Sequence, residues 1–111
     1  MRVDFRVYLV TDRTQTGGRP LASVVEDALK AGLRAVQVRE KDVTTRELLA
    51  LASALLTCCR RYGARLFIND RIDVVLAIGA DGVHLRADSV PISVARRLSR
   101  ERTRRPVNAI D

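Results

Sequence analysis

Short apolar runs that stop in polar clusters alternate along this chain with stretches of helical spacing, and that alternation leaves few folds open to it. Phe5 to Thr11 ends at Asp12-Arg13. The stretch from Ala35 leads through Val-Gln-Val into Arg39-Glu40-Lys41-Asp42, Ala64 to Ile68 stops in Asn69-Asp70, and Gly82 to Leu85 runs into Arg86-Ala87-Asp88. Between the first two runs, Leu21, Val24, Val25, Ala28 and Leu29 share one helical face, with Pro20 placed to open the helix and Gly32 to close it. Thr44 and Glu47 match a capping box ahead of a helix through Leu48, Leu51, Leu55 and Leu56 that stops at Gly63. Asp70 is placed to cap a short helix through Val74, Val75 and Ile78, and Pro91 opens a last one through Ile92, Ala95 and Leu98. Strands alternating with helices imply an α/β fold with a parallel sheet and right-handed crossovers.

Four such βα units are half of an eight-fold (β/α) barrel. If the sheet holds these four strands, the first and the fourth are its edges. After Leu98 the apolar period is lost, which divides the chain into a folded part, residues 1–98, and a basic, poorly ordered tail, residues 99–111. Val107 to Asp111 is too short to make a useful fifth strand.

The formal charge of +7 tempts one towards nucleic acid, so its location matters. Residues 1–95 hold 14 Lys and Arg against 11 Asp and Glu, while the last sixteen residues hold 6 against 2. The excess is concentrated at the end, where no aromatic residues are interleaved for base stacking, and this argues against a nucleic-acid partner. No apolar run approaches the ~20 residues of a membrane span, and Asp4 and Arg6 break any signal-peptide pattern, so a cytoplasmic location is expected. Cys58 and Cys59 are helix neighbours about 100° apart, which suits structural thiols better than a metal pair.

The polar strand ends carry the chemistry. Side chains alternate along a strand, so Gln37, Arg39 and, if the strand persists, Lys41 face away from Val36 and Val38. An amide, a guanidinium and an ammonium in file make an anion site, and in parallel α/β folds that end of the strands is where ligands bind. Each residue also has a plainer reading. Arg39 and Lys41 suit a solvated strand end, Asp70 a helix cap, and His84 a hydrogen-bonding group facing the barrel lumen. Glu40 and Asp42 suit ion pairs with neighbouring cations, and Tyr8, Thr11 and Asp12 structural positions beside the pocket.

Four stretches together resemble the thiamine phosphate synthase family: Tyr8-Leu-Val-Thr-Asp12, Gln37-Val-Arg-Glu-Lys41, Ile68-Asn-Asp-Arg71 and Gly79-Ala-Asp-Gly-Val-His-Leu85. The resemblance covers residues 5 to about 98, the first half of the family's (β/α)8 TIM barrel. It implies a Mg²⁺-dependent transferase that joins hydroxymethylpyrimidine diphosphate to thiazole phosphate and releases pyrophosphate. Arg39 and Lys41 are then the catalytic cations holding the departing pyrophosphate, Gln37 contacts the pyrimidine, Asn69 touches the pyrophosphate, and Asp70 is a Mg²⁺ ligand. The family pattern puts a second ligand at position 89, here Ser89, so Asp88, one residue earlier, is the candidate. Position 86 is Arg where the family has Gly. Two other readings stay open: a relative of the thiazole tautomerase on the same barrel, and a non-enzymatic barrel fragment that self-associates. A homo-oligomer that completes the barrel is the protein partner implied.

Overall fold

The computed structural model describes residues 9–86, 91–102 and 108–110. Five parallel strands lie in chain order in one sheet: β1 (Leu9–Val10), β2 (Ala35–Val38), β3 (Arg65–Asn69), β4 (Gly82–His84) and β5 (Asn108–Ile110). Helices α1 (Leu21–Lys30), α2 (Thr45–Arg61), α3 (Ile72–Ile78) and α4 (Ile92–Arg102) fill the crossovers, so the βα alternation of the sequence is the architecture. The α/β fold expected from the sequence therefore stands as a partial TIM-barrel sheet.

Register explains which residues meet. Val36 lies beside Leu66 and Val38 beside Ile68, and Ile68 lies beside Val83. This face packs on the helices, where Val25, Leu29, Leu55, Ala52, Cys59, Val74 and Val75 complete the core. Leu55, Leu29 and Ile68 are fully buried, each contributing roughly 1.5–3 kcal/mol relative to exposure. The opposite face carries Gln37 beside Phe67, both buried, with Gly82 next in the row.

The helix ends follow the sequence signals in most places. The Thr44 Oγ1 accepts from the Glu47 amide at 3.1 Å and donates to the Glu47 carboxylate at 3.0 Å. Gly79 closes α3 at φ 74°, a conformation that costs glycine little.

Four expectations are corrected. Asn108–Ile110 forms a fifth strand, with Val83 beside Ala109, because the β4 edge presents ladder groups that even three residues can satisfy. The sheet edges are accordingly β1 and β5. Helix α4 also runs past Leu98 to Arg102. The strand carrying Gln37 stops at Val38, so Arg39 and Lys41 sit in the loop beyond it, where Asp42 takes φ 60°. Finally, Asp70 does not cap α3: the cap position falls on Arg71 with no side-chain bond, and Asp70, at φ 68°, turns its carboxylate to Arg86.

Cys58 and Cys59 are buried free thiols in α2. Burial pushes Cys59 up to about 12 and raises Cys58 from the ordinary value as well. A thiol reagent at pH 8 is therefore expected to label neither cysteine in the native chain and both in denaturant. Because the unfolded thiols ionise first, these groups lower stability as pH rises above 9.0, the ordinary thiol value. A melting temperature that climbs through that range would contradict the assignment.

Candidate anion site at the strand ends

The loop after β1 and the loop after β2 are held together by one carboxylate. The Thr11 hydroxyl donates to Glu40 Oε2 at 2.6 Å and accepts from the Arg39 amide at 3.1 Å. The Arg13 amide donates to Glu40 Oε1 at 3.0 Å, while the Arg13 guanidinium stands 3.7 Å from that oxygen. It also donates to the Lys41 carbonyl at 3.2 Å. The Glu40 side chain is 2% exposed, so its pairing with a neighbouring cation is as expected, though far more enclosed than a surface pair. Beside it, Asp12 accepts from the Thr14 amide at 2.9 Å and hydroxyl at 2.6 Å. Those two bonds, with Arg13 and Lys41 nearby, hold its carboxyl below the usual range.

Two cavities open on this rim. One, of about 460 Å³, lies between the loops after β1 and β2; the other, of about 180 Å³, lies between the loops after β2, β3 and β4. Arg39, Glu40 and Lys41 line both and so form the ridge between them. The larger falls within the range of small-molecule sites. Asn69, Asp70, Arg71 and Arg86 complete the smaller. Arg71 is turned outward: it donates to both Asp73 oxygens, at 3.0 and 2.8 Å, and to the Thr45 hydroxyl at 3.1 Å. That contact holds the Asp73 carboxyl below the usual range.

Arg39 and Lys41, from the loop after β2, and Asn69 and Asp70, from the end of β3, thus converge on one cavity. Gln37 does not reach it; at 2% exposed it lies beneath the rim and lines neither cavity. Asp88 and Tyr8 lie outside the described residues. His84, beside Asn69 in the sheet, lines neither cavity, and its buried Nδ1 finds no hydrogen-bond partner among the described residues. Sequence reasoning missed Arg13, whose partner is 27 residues away. It also missed that Arg86 reaches Asp70, at 3.1 Å, although both stand at the polar strand ends it had singled out.

Among the described residues, no three His, Cys, Asp or Glu side chains gather to enclose a metal ion. Asp70 offers one carboxylate, 28% exposed at the mouth of the smaller cavity. Mg²⁺ commonly takes one or two carboxylates, waters and substrate phosphates, so this donor set fits an ion shared with a bound phosphate group, with Asp70 as its protein ligand.

No helix among the described residues is long and apolar enough to cross a membrane. The chain is 47% identical over 98 residues to a thiamine-phosphate synthase of Clostridium novyi, matching 88% of this chain and 48% of that protein. It is 48% identical over 97 residues to a thiamine biosynthetic bifunctional enzyme of Saccharomyces cerevisiae, 86% of this chain and 18% of that one. The solved thiamine phosphate pyrophosphorylase of Pyrococcus furiosus superposes with a TM-score of 0.79 at 36% identity, over 92% of this chain and 48% of that chain. The chain therefore spans about half the length of the bacterial and archaeal relatives. With residues 7–104 also matching the family model described as thiamine monophosphate synthase, the chain belongs to the TMP-TENI family.

Proposed function

We propose that these strand ends are the diphosphate half of a thiamine phosphate synthase site, which couples hydroxymethylpyrimidine diphosphate to thiazole phosphate and releases pyrophosphate. The observation that supports this most is the convergence of Arg39, Lys41, Asn69 and Asp70 on one cavity at the carboxyl ends of parallel strands. As the bond from the pyrimidine-methyl carbon to the diphosphate oxygen breaks, its electron pair goes to the oxygen, and the thiazole nitrogen supplies the pair for the new C–N bond. Negative charge thus builds on the diphosphate, where the Arg39 guanidinium and the Lys41 ammonium lower its energy and fix its position. The Asn69 amide orients a phosphate oxygen. Gln37, buried beneath the rim beside Phe67 and lining neither cavity, is left without a pyrimidine contact in this reading. When bound at Asp70, Mg²⁺ supplies further positive charge to the diphosphate.

The pairing of Lys41 with Asp70 at one cavity favours this reading over a thiazole tautomerase, whose substrate needs no diphosphate grip. A cytoplasmic location suits such chemistry. A second copy of the chain set against the open sheet would supply the other wall of the site, and the molar mass with both substrates present checks for it.

Binding of the pyrimidine diphosphate to the 111-residue chain, followed by calorimetry, tests the reading directly. Lys41→Ala is expected to weaken it by about 10- to 100-fold, the worth of a hydrogen bond to a charged group. An unchanged affinity would sink the proposal. Turnover of both substrates to thiamine phosphate and pyrophosphate, measured alongside, shows whether this length of chain completes the site.

A further inference from the structure

Strand β2 ends at Val38, so no ladder fixes the two residues on which the diphosphate reading leans most, Arg39 and Lys41. The loop after β1 takes the ladder's place. The Thr11 amide continues the sheet by donating to the Gln37 carbonyl at 2.9 Å, and the Thr11 hydroxyl reaches one step further, accepting from the Arg39 amide at 3.1 Å. Glu40, next in the chain, is turned inward between the Thr11 hydroxyl and the Arg13 amide. The Lys41 carbonyl accepts from the Arg13 guanidinium at 3.2 Å. Thr11 and Arg13 thus hold three successive residues, through an amide, a carboxylate and a carbonyl. None of these holds uses the Arg39 guanidinium or the Lys41 ammonium, and both residues line the two cavities.

The Thr11 hydroxyl has nothing to offer an anion directly. It carries one hydrogen, and that hydrogen is committed to Glu40 Oε2 at 2.6 Å. Thr11 is also buried. Any influence it has on a bound anion runs through the loop it holds. Arginine and lysine side chains lose rotamer freedom when they bind, and a backbone fixed beforehand removes the further cost of ordering the loop. A shift of that backbone would carry both cations away from the positions that a diphosphate needs.

We propose that Thr11 and Arg13 are positioning residues of the anion site, fixing the loop after β2 so that Arg39 and Lys41 meet a diphosphate already in place. The proposal rests on the diphosphate reading above and goes beyond it, because it gives the loop after β1 a role in binding. One property separates this role from support of the fold. A residue that acts through Arg39 or Lys41 has little left to act on once that side chain is gone, whereas a residue that only supports the fold costs the same affinity in either background.

The experiment is calorimetric titration of inorganic pyrophosphate with Mg²⁺ into the full chain and its variants, with affinity taken per folded molecule. Arg39→Ala is expected to lose about 10- to 100-fold, as for a hydrogen bond to a charged group, and Thr11→Val about three- to tenfold, as for a neutral one. Thr11→Ser, which keeps the hydroxyl, is expected to restore native affinity. The double variant Thr11→Val/Arg39→Ala is expected to stay within about twofold of Arg39→Ala alone. Arg13→Ala and Lys41→Ala form a second cycle with the same expectation, and because the Arg13 side chain is 40% exposed this cycle reports even if Thr11→Val fails to fold. Thr11→Val or Arg13→Ala at native affinity, or losses that multiply in full within its cycle, overturns the positioning role of that residue and leaves the diphosphate site standing. Lack of pyrophosphate binding by the native chain, or native affinity in both Arg39→Ala and Lys41→Ala, overturns the diphosphate reading and the positioning role together.

Discussion

The Glu40→Ala chain is expected to lose about 2–4 kcal/mol of stability, more than the ion pair with a neighbouring cation expected from its run of charged residues would contribute. Its side chain is 2% exposed and accepts from the Thr11 hydroxyl at 2.6 Å and the Arg13 amide at 3.0 Å. Truncation removes both acceptors at once, and Thr11, only 3% exposed, has no water to turn to. Two effects compete. Deleting a buried carboxylate relieves its desolvation, and leaving its partners unsatisfied costs their hydrogen bonds. The second wins here because two donors and a cation at 3.7 Å are all abandoned together. Glu40→Gln keeps the acceptor oxygen and loses the charge, so about half the effect is expected. Urea melts measure the losses, and amide exchange locates them: protection should fall at the Arg13 and Arg39 amides, bonded to Glu40 and Thr11, before it falls in the core. Thr11→Val should show the same local loss, and the double variant should cost less than the two single changes added, because they share one contact. Strict additivity would mean that Glu40 and Thr11 act independently and that the two loops are not latched through them.

This latch marks the boundary of what the sequence discloses. The alternation of strands and helices is legible because each element announces itself locally: the Thr44–Glu47 box, the glycine after α3, the apolar faces of α1 and α2. The convergence of Arg39, Lys41, Asn69 and Asp70 is legible too, because parallel strands put all their carboxyl ends on one side. Contacts between loops are another matter. Arg13 and Glu40 lie 27 residues apart, and nothing in either stretch names the other until β1 is placed beside β2. The fifth strand is hidden for a related reason. Asn108–Ile110 is too short to show a period, and it becomes a strand only because β4 offers an edge. The cap assigned to Asp70 failed by a single residue of backbone, since a left-handed turn that a short polar side chain tolerates removes the carboxylate from the helix end.

At the opposite end of the sheet a second carboxylate carries a comparable load, and Asp81→Ala is expected to cost about 2–4 kcal/mol, enough to lower the melting temperature by roughly 10 °C or more. Asp81 begins the turn into β4 and its side chain is 16% exposed. Its Oδ2 accepts from the Leu66 amide at 2.7 Å and from Arg60 Nη1 at 2.8 Å, and its Oδ1 accepts from Arg60 Nη2 at 3.2 Å. The Asp81 amide donates in turn to the Leu66 carbonyl at 2.9 Å, so one residue pins β3, β4 and the end of α2 together. Leu66 is fully buried, and without the carboxylate its amide has no partner to replace it. The aspartate in Gly79-Ala-Asp-Gly-Val-His-Leu85 is therefore a fastening of the sheet's amino-terminal end, away from the anion site. Asp81→Asn keeps an oxygen for Leu66 and gives up the two-pronged grip on Arg60, so an intermediate loss is expected. Pyrophosphate affinity per folded molecule should not change in either variant. If Asp81→Ala melted within about 0.5 kcal/mol of the native chain, Arg60 and the Leu66 amide would have found other partners. If it weakened pyrophosphate binding while the chain stayed folded, the two ends of the sheet would be coupled through β3 and β4.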